Sequence, residues 1–223
     1  MGEDLSNWQS RPRPERIVLE GQYVRLEPLN GAKHGDELFD AASILGEEDR
    51  FLYLPEYPPQ AREEFQLWLE RVEKSTDPLF FAVIDKRTGK VEGRQTLMRI
   101  DPDNGVIEIG NIFWGGRISQ TAVTTEAFYL FAKYIFDDLG YRRFEWKCNN
   151  DNKPSIAAAL RYCFTAESIF RQALIVKDKN RDTAWFSMLD KEWPAVKQMF
   201  EAWLDCSNFN QDGKQKKKLR DFR

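Results

Sequence analysis

Cysteine and histidine are scarce in this chain. Its 223 residues hold three cysteines and one histidine. Cys148, Cys163 and Cys206 have no metal-ligand spacing, which excludes a cysteine-built metal site and a disulfide framework. The odd count, with no apolar leader in the opening MGEDLSNWQSRPRPER, predicts a reducing compartment, the cytoplasm. Met1-Gly2 followed by Ser6 is set against acylation by Glu3 and Asp4. His34 falls on an early helix turn, where a solvated side chain rather than a catalyst is expected. No apolar run is long enough to cross a bilayer, so no membrane partner is expected. Formal charge is only −3, which argues against a nucleic-acid binder overall. That balance is uneven. The stretch Lys214–Arg223 carries +5, and the rest of the chain −8. Neither half defines a partner, and a homodimer is left open.

What is present is ordinary globular composition, 42% hydrophobic and 31% charged, enough for one domain with a substantial core. Residues 1–16 read as a flexible polar arm, 17–204 as the folded domain, and 205–223 as a polar, basic, mobile tail. The organising stretch is GVIEIGNIFWGGRISQTAVTTEAFYLFAKYIFDDLGY, residues 105–141. Residues 106–114 read as a strand with Val106, Glu108, Gly110, Ile112 and Trp114 on one face. Gly110 suggests a bulge there. Ser119 and Thr121 are both candidate helix caps. Val123, Ala127, Leu130, Phe131, Tyr134 and Ile135 repeat at helical spacing, and Gly140 stops the helix. A strand from Arg143 to Cys148 follows, with Phe144, Trp146 and Cys148 alternating inward. Strand, helix, strand is a βαβ unit with a parallel pair and a right-handed crossover. Such units bind anions where the first strand feeds the helix.

Around this unit the pattern predicts a strand over 22–29, a helix capped by Asn30, and an irregular aromatic loop FLYLPEYPP at 51–59. A helix over 61–75, two strands over 79–85 and 91–100, and a helix over 155–162 are also expected. Strands over 167–177 and 183–190 are joined by the charged turn 178–182. A helix from Trp193 to Leu204 closes the domain.

This order, with the stretches LEGQYVRLEPL, DPLFFAVIDKRTG, DPDNGVIEIGNIFW, TEAFYLFAKYIFDDLGYRRFEWKCNNDNKPS and FRQALIVKDKNRDTAWFSMLDKEWP, resembles the GNAT superfamily of acyl-CoA-dependent N-acetyltransferases. Within it the chain resembles the branch of ribosomal-protein N-terminal acetyltransferases, the Rim type. The resemblance implies an α/β fold. Its central sheet would be mixed, mostly antiparallel, with about seven strands, a splayed parallel pair and flanking helices. It implies acetyl-CoA as co-substrate, a primary amine (a small molecule or a peptide N-terminus) as acceptor, direct attack in a ternary complex, and no metal.

The chemistry needs backbone N–H groups for a pyrophosphate, unpaired strand groups for a pantetheine arm, and an N–H for an oxyanion. By resemblance, pantetheine lies beside Ile112, Phe113 and Trp114. The pyrophosphate rests on Ser119, Gln120, Thr121, Ala122, Val123 and Thr124, with Arg117 near the phosphates. The family signature Gln/Arg-x-x-Gly-x-Gly/Ala is altered here to SQTAVT, with Ala122 and Thr124 replacing the last two small residues. Tyr162-Cys163-Phe164 likewise stands where relatives have Leu-Gly-Phe.

Glu108 matches the family's general base, with a surface carboxylate paired to Arg99 as the plain alternative. Ser155, in the family's Asn-x-x-Ser, matches a group that returns a proton to the leaving thiolate, and could equally be a helix cap. Asn152 is a cofactor contact or an Asx-turn residue. Ala159 stands where other members carry a tyrosine acid. The altered loop leaves open a non-catalytic GNAT-fold binding or scaffold protein.

Overall fold

Residues Ala122–Lys133 form a helix buried on almost every side, not along one stripe, since Val123 to Ala132 are all buried. A helix apolar all round has to lie between two other layers. One layer is a sheet, and the other is the helix Trp193–Leu204. The computed structural model describes Gly2 and residues 4–223. Met1 and Glu3, and with them part of the acylation context, lie outside the described residues; the rest of the arm is not free, since the Arg11 N–H donates to the Pro102 carbonyl and the Tyr141 hydroxyl to that of Pro12.

Among the described residues there are eight strands and five helices. The strands are β1 (Leu19–Glu20), β2 (Val24–Pro28), β3 (Leu79–Asp85), β4 (Lys90–Asp101), β5 (Val106–Trp114), β6 (Arg143–Asn149), β7 (Thr165–Val176) and β8 (Lys179–Leu189). They make one sheet in the order β1-β2-β3-β4-β5-β6-β8-β7, antiparallel except for β5–β6. The helices are α1 (Gly31–Ala42), α2 (Arg62–Val72), α3 (Ala122–Lys133), α4 (Lys153–Arg161) and α5 (Trp193–Leu204). The fold is the expected mixed α/β one, with one strand more than anticipated: the two-residue β1, too short to give a pattern.

Each face of the sheet has its own core. On one, Phe128 stacks on Tyr162 at 4.5 Å and touches Phe144, Phe164 and Phe200. Truncating a buried phenylalanine of this kind costs about 3–5 kcal/mol. On the other face, α1 and α2 cover β3, β4 and the end of β5 through Leu38, Leu69, Phe80 and Phe113. This explains why every residue of β3 is buried, as its unbroken apolar run predicts.

Several expectations are corrected. His34 is not solvated. It is 2% exposed, its Nδ1 accepts from the Asn30 N–H at 3.1 Å, and its Nε2 lies 3.1 Å from Glu27. The first contact puts the proton on Nε2, so the ring is neutral and donates to the carboxylate. Burial lowers its pKa, against the pull of Glu27. The β7–β8 turn is not 178–182. Lys177 and Asp178, with φ of 50° and 59°, make a two-residue hairpin, and β8 starts at Lys179. The stretch after Leu204 is not a free tail. Trp203 Nε1 donates to Gln215 at 2.9 Å, Arg223 donates to the Leu160 carbonyl, and Leu219 is buried. Finally, β5 does not keep one face. Its register against β4 shifts between Gly110 and Phe113, and Asn111 there has φ 46°. The bulge lies one residue past Gly110. It turns Phe113, not Ile112 and Trp114, toward the α1–α2 core.

Candidate active site

The parallel pair is hydrogen-bonded only over Val106–Ile109 and Arg143–Trp146. Beyond Ile109 the two strands part. Asn111 and Ile112 have no register partner on either side, because the bulge also interrupts pairing to β4. A cleft of about 760 Å³ opens at this point, running from the start of α3 to Met98 and Arg99 on β4.

At the α3 end, Thr121 is the cap. Its hydroxyl accepts from the Val123 N–H at 3.2 Å, while Ser119 stays in the preceding turn. Among the described residues the N–H groups of Ala122 and Thr124 have no protein partner, which leaves them for an anion. Ser119, Gln120 and Thr124 line the cleft. Ala122 instead packs against the core. The left-handed residue of this loop is Gln120, with φ 61°, so the conformation places no demand for glycine at position 122. Arg117 lies outside the cleft walls, its guanidinium 3.0 Å from Glu92. Ile112 and Trp114 form one wall, and the Phe113 ring, which packs 4.9 Å from Phe51, contributes mainly to the core behind it.

The opposite wall comes from β6 and α4. Asn152 caps α4 by accepting from the Ser155 N–H at 3.1 Å, so Ser155 is not the cap. The Ser155 hydroxyl accepts from Trp146 Nε1 at 2.9 Å and keeps its own proton to donate. Cys148 lies beside it, and burial raises the thiol's pKa. At the β4 end stands Glu108, 4% exposed, 2.9 Å from Lys147 and 3.2 Å from Arg99. Burial pushes its carboxyl above the usual range, against the pull of Lys147 and Arg99. Arg99 holds a left-handed φ of 49°, and the Asp77 carboxylate receives its N–H and that of Ile100. Among the described residues no cluster of three or more metal-ligating side chains occurs, and no helix is long and apolar enough to cross a membrane.

Sequence reasoning missed Arg50, Lys147, Arg161, Tyr162, Arg181 and Gln215, all of which line the cleft. Lys147 and Tyr162 carried a weak signal, lying near Cys148 and Ser155 in sequence. Gln215 carried none.

The model of the acetyltransferase (GNAT) domain matches residues 24–165. The chain belongs to the GNAT acetyltransferase domain family. A GNAT structure described as a GCN5-related N-acetyltransferase from Brucella melitensis is 61% identical over 98% of this chain and 99% of its own, with a TM-score of 0.96. An uncharacterized N-acetyltransferase, p20 of Bacillus licheniformis, is 31% identical over 117 residues, 51% of this chain. The chain thus spans 63% of that relative's length. A ribosomal L7/L12 α-N-protein acetyltransferase in complex with coenzyme A shares the GNAT fold at 16% identity and a TM-score of 0.64, covering 79% of this chain and 99% of its own.

Proposed function

We propose that this GNAT protein transfers the acetyl group of acetyl-CoA to a primary amine, in a ternary complex and without a covalent enzyme intermediate. The observation that carries this reading is the opening of β5 from β6 beyond Ile109. It joins backbone outside both strand registers at Asn111, whose carbonyl accepts from Arg94, and Ile112 to a free helix start at one end and a buried carboxylate at the other. Those residues fit acetyl-CoA: N–H groups at Ala122 and Thr124 for phosphate oxygens, and strand edge at Asn111 and Ile112 for an amide-bearing arm. Acetyl-CoA supplies the acyl carbon as a thioester. Glu108 takes a proton from the acceptor ammonium, directly or through water, and Lys147 and Arg99 steady the carboxylate. Ser155 donates its proton to the departing sulfur and regains one from the attacking nitrogen, which sheds its second proton as the amide forms. Asn152 holds Ser155 in place by fixing the first turn of α4. The finer placement we favour is kinship with the Rim-type branch but a small-molecule amine as acceptor, in a reducing cytoplasm, where the three free cysteines stay reduced.

The test has two arms. A folded, CoA-binding protein should gain about 2.7 kcal/mol of stability at a hundredfold excess of coenzyme A over its Kd. That corresponds to a melting shift of roughly 5–10 °C for a chain of this size. Free thiol should then be released from acetyl-CoA when an amine acceptor is added. No shift at millimolar coenzyme A would instead support a scaffold protein.

A further inference from the structure

Arg181 stands apart from the other cations of the cleft. Arg99 pairs with Glu108, and Lys147 with both Glu108 and Glu145. Arg50 pairs with Glu47, and Arg161 donates to Thr125. Arg181 lines the same cleft, yet among the described residues it makes no ion pair and no hydrogen bond, and its Nε is buried without a partner. A half-buried guanidinium with no carboxylate in contact is costly to hold, and a ligand anion would relieve that cost.

The strand registers say which ligand it faces. Glu108 lies opposite Glu145, and Lys147 lies opposite Trp185 with its ammonium 3.8 Å from that ring. Arg181 is four residues from Trp185 on β8, so strand alternation puts it on the same sheet face. That face holds Glu108 and Lys147. Phe144, Trp146 and Cys148 point the other way, into the core that carries α3. The free N–H groups at the start of α3 are therefore across the sheet from Arg181. At the acceptor end of the cleft Arg99, Lys147 and Arg181 stand against Glu108, a basic surplus that repels polyamines and aminoglycosides.

We infer that the acceptor carries a carboxylate close to its amine, as a free amino acid does, and that Arg181 binds that carboxylate while Glu108 receives the ammonium. Without a cation between them, Glu108 would repel the substrate's own carboxylate. Arg181 lets the two anions share one pocket. This rests on the transferase reading above.

The experiment compares matched acceptors with and without the carboxylate: β-alanine against n-propylamine, and L-methionine against 3-(methylthio)propylamine. Thiol release from acetyl-CoA is read for the wild type, Arg181→Gln and Arg181→Lys, with CoA binding and melting temperature measured in parallel. The wild type should favour the carboxylated member of each pair by about 10–100-fold in kcat/KM, as for a charge-assisted hydrogen bond, and the difference should sit in KM. Arg181→Gln should erase the preference with CoA affinity and melting temperature retained, and Arg181→Lys should keep part of it. Equal or better use of the carboxylate-free amines by the wild type overturns the inference. So does an undiminished preference in Arg181→Gln, a loss of CoA affinity in that variant, or CoA binding with no carboxylated acceptor used. Absence of CoA binding by the wild type fails the transferase reading itself, which separates the two.

Discussion

Replacing Glu108 by glutamine keeps the side chain's shape and removes its ability to take a proton. The fold should tolerate the change, because Lys147 retains Glu145 at 2.7 Å and Arg99 is half-exposed. A general base contributes about 10²–10⁴-fold, or roughly 3–5 kcal/mol of barrier. Burial raises the pKa of Glu108, so in the wild type kcat/KM should fall as pH drops through a value above that of an ordinary glutamate. In Glu108→Gln the fall should begin higher, at the acceptor amine's own pKa, so the deficit should be largest at low pH, where the acceptor is an ammonium. Raising the pH should partly rescue it, because free amine then forms unaided. Ser155→Ala should lose less and show no rescue, since its proton is needed only as sulfur departs. The assay is thiol release with a fixed acceptor from about pH 6 to about pH 9, a range that brackets general-base pKa values. Near wild-type rates in Glu108→Gln across that range would refute the base role and leave Glu108 as the buried partner of Arg99 and Lys147.

Three further outcomes are expected. Gln120→Glu should sharply weaken coenzyme A binding in titration calorimetry while leaving the melting temperature nearly unchanged, since this exposed side chain lines the cleft beside the free N–H groups of α3 and helix starts accept acidic residues; intact affinity would move the phosphate site elsewhere. Asp178→Gly, at an exposed hairpin position with φ 59°, should raise stability by roughly 0.5–1 kcal/mol, because glycine escapes the left-handed penalty and loses part of the gain to chain entropy; an unchanged or lower urea midpoint would count against it. His34 has a lowered pKa in the fold, so the unfolded chain binds the extra proton first, near its ordinary value of about 6.5. Stability is therefore full above that pH and falls as pH drops below it. His34→Gln should flatten that slope, and urea unfolding at stepped pH would show the two curves parallel if the histidine plays no part.

Elements with a strong period or strong punctuation were legible in the sequence. The strands of the βαβ unit, the Asn30 cap and the Trp193–Leu204 helix fall within a residue or two of the reading, while the unit's helix runs on past Lys133 as a π-helix, Tyr134–Asp138. The misreadings have physical causes. His34 looked solvated because periodicity cannot report that Glu27, seven residues away on another element, would meet its ring. The Lys177-Asp178 turn was missed because neither residue is glycine or asparagine, the usual occupants of a positive φ. The folded stretch after Leu204 has a polar composition, but Leu219 and Gln215 dock on surfaces that only tertiary structure creates. The site divides along the same line. Glu108, Ser155 and the α3 start sit in or beside recognisable motifs, whereas strand pairing alone brings Arg99 and Lys147 to Glu108 and puts Arg181 on the same face.

The bulge at Asn111 makes β5 two half-strands of opposite phase. Glu108 belongs to the half that faces the acceptor, and Ile112 and Trp114 to the half that faces the cofactor wall. Glu108 and Trp114 are six residues apart, about 20 Å along an extended strand, beyond the range at which substitutions usually couple. Acceptor choice and acyl-CoA fit can therefore be redesigned separately on one strand and combined afterwards with additive effect. Deleting Asn111 would remove the bulge and draw the two halves closer, while Ile112 and Trp114 would stay on the face opposite Glu108.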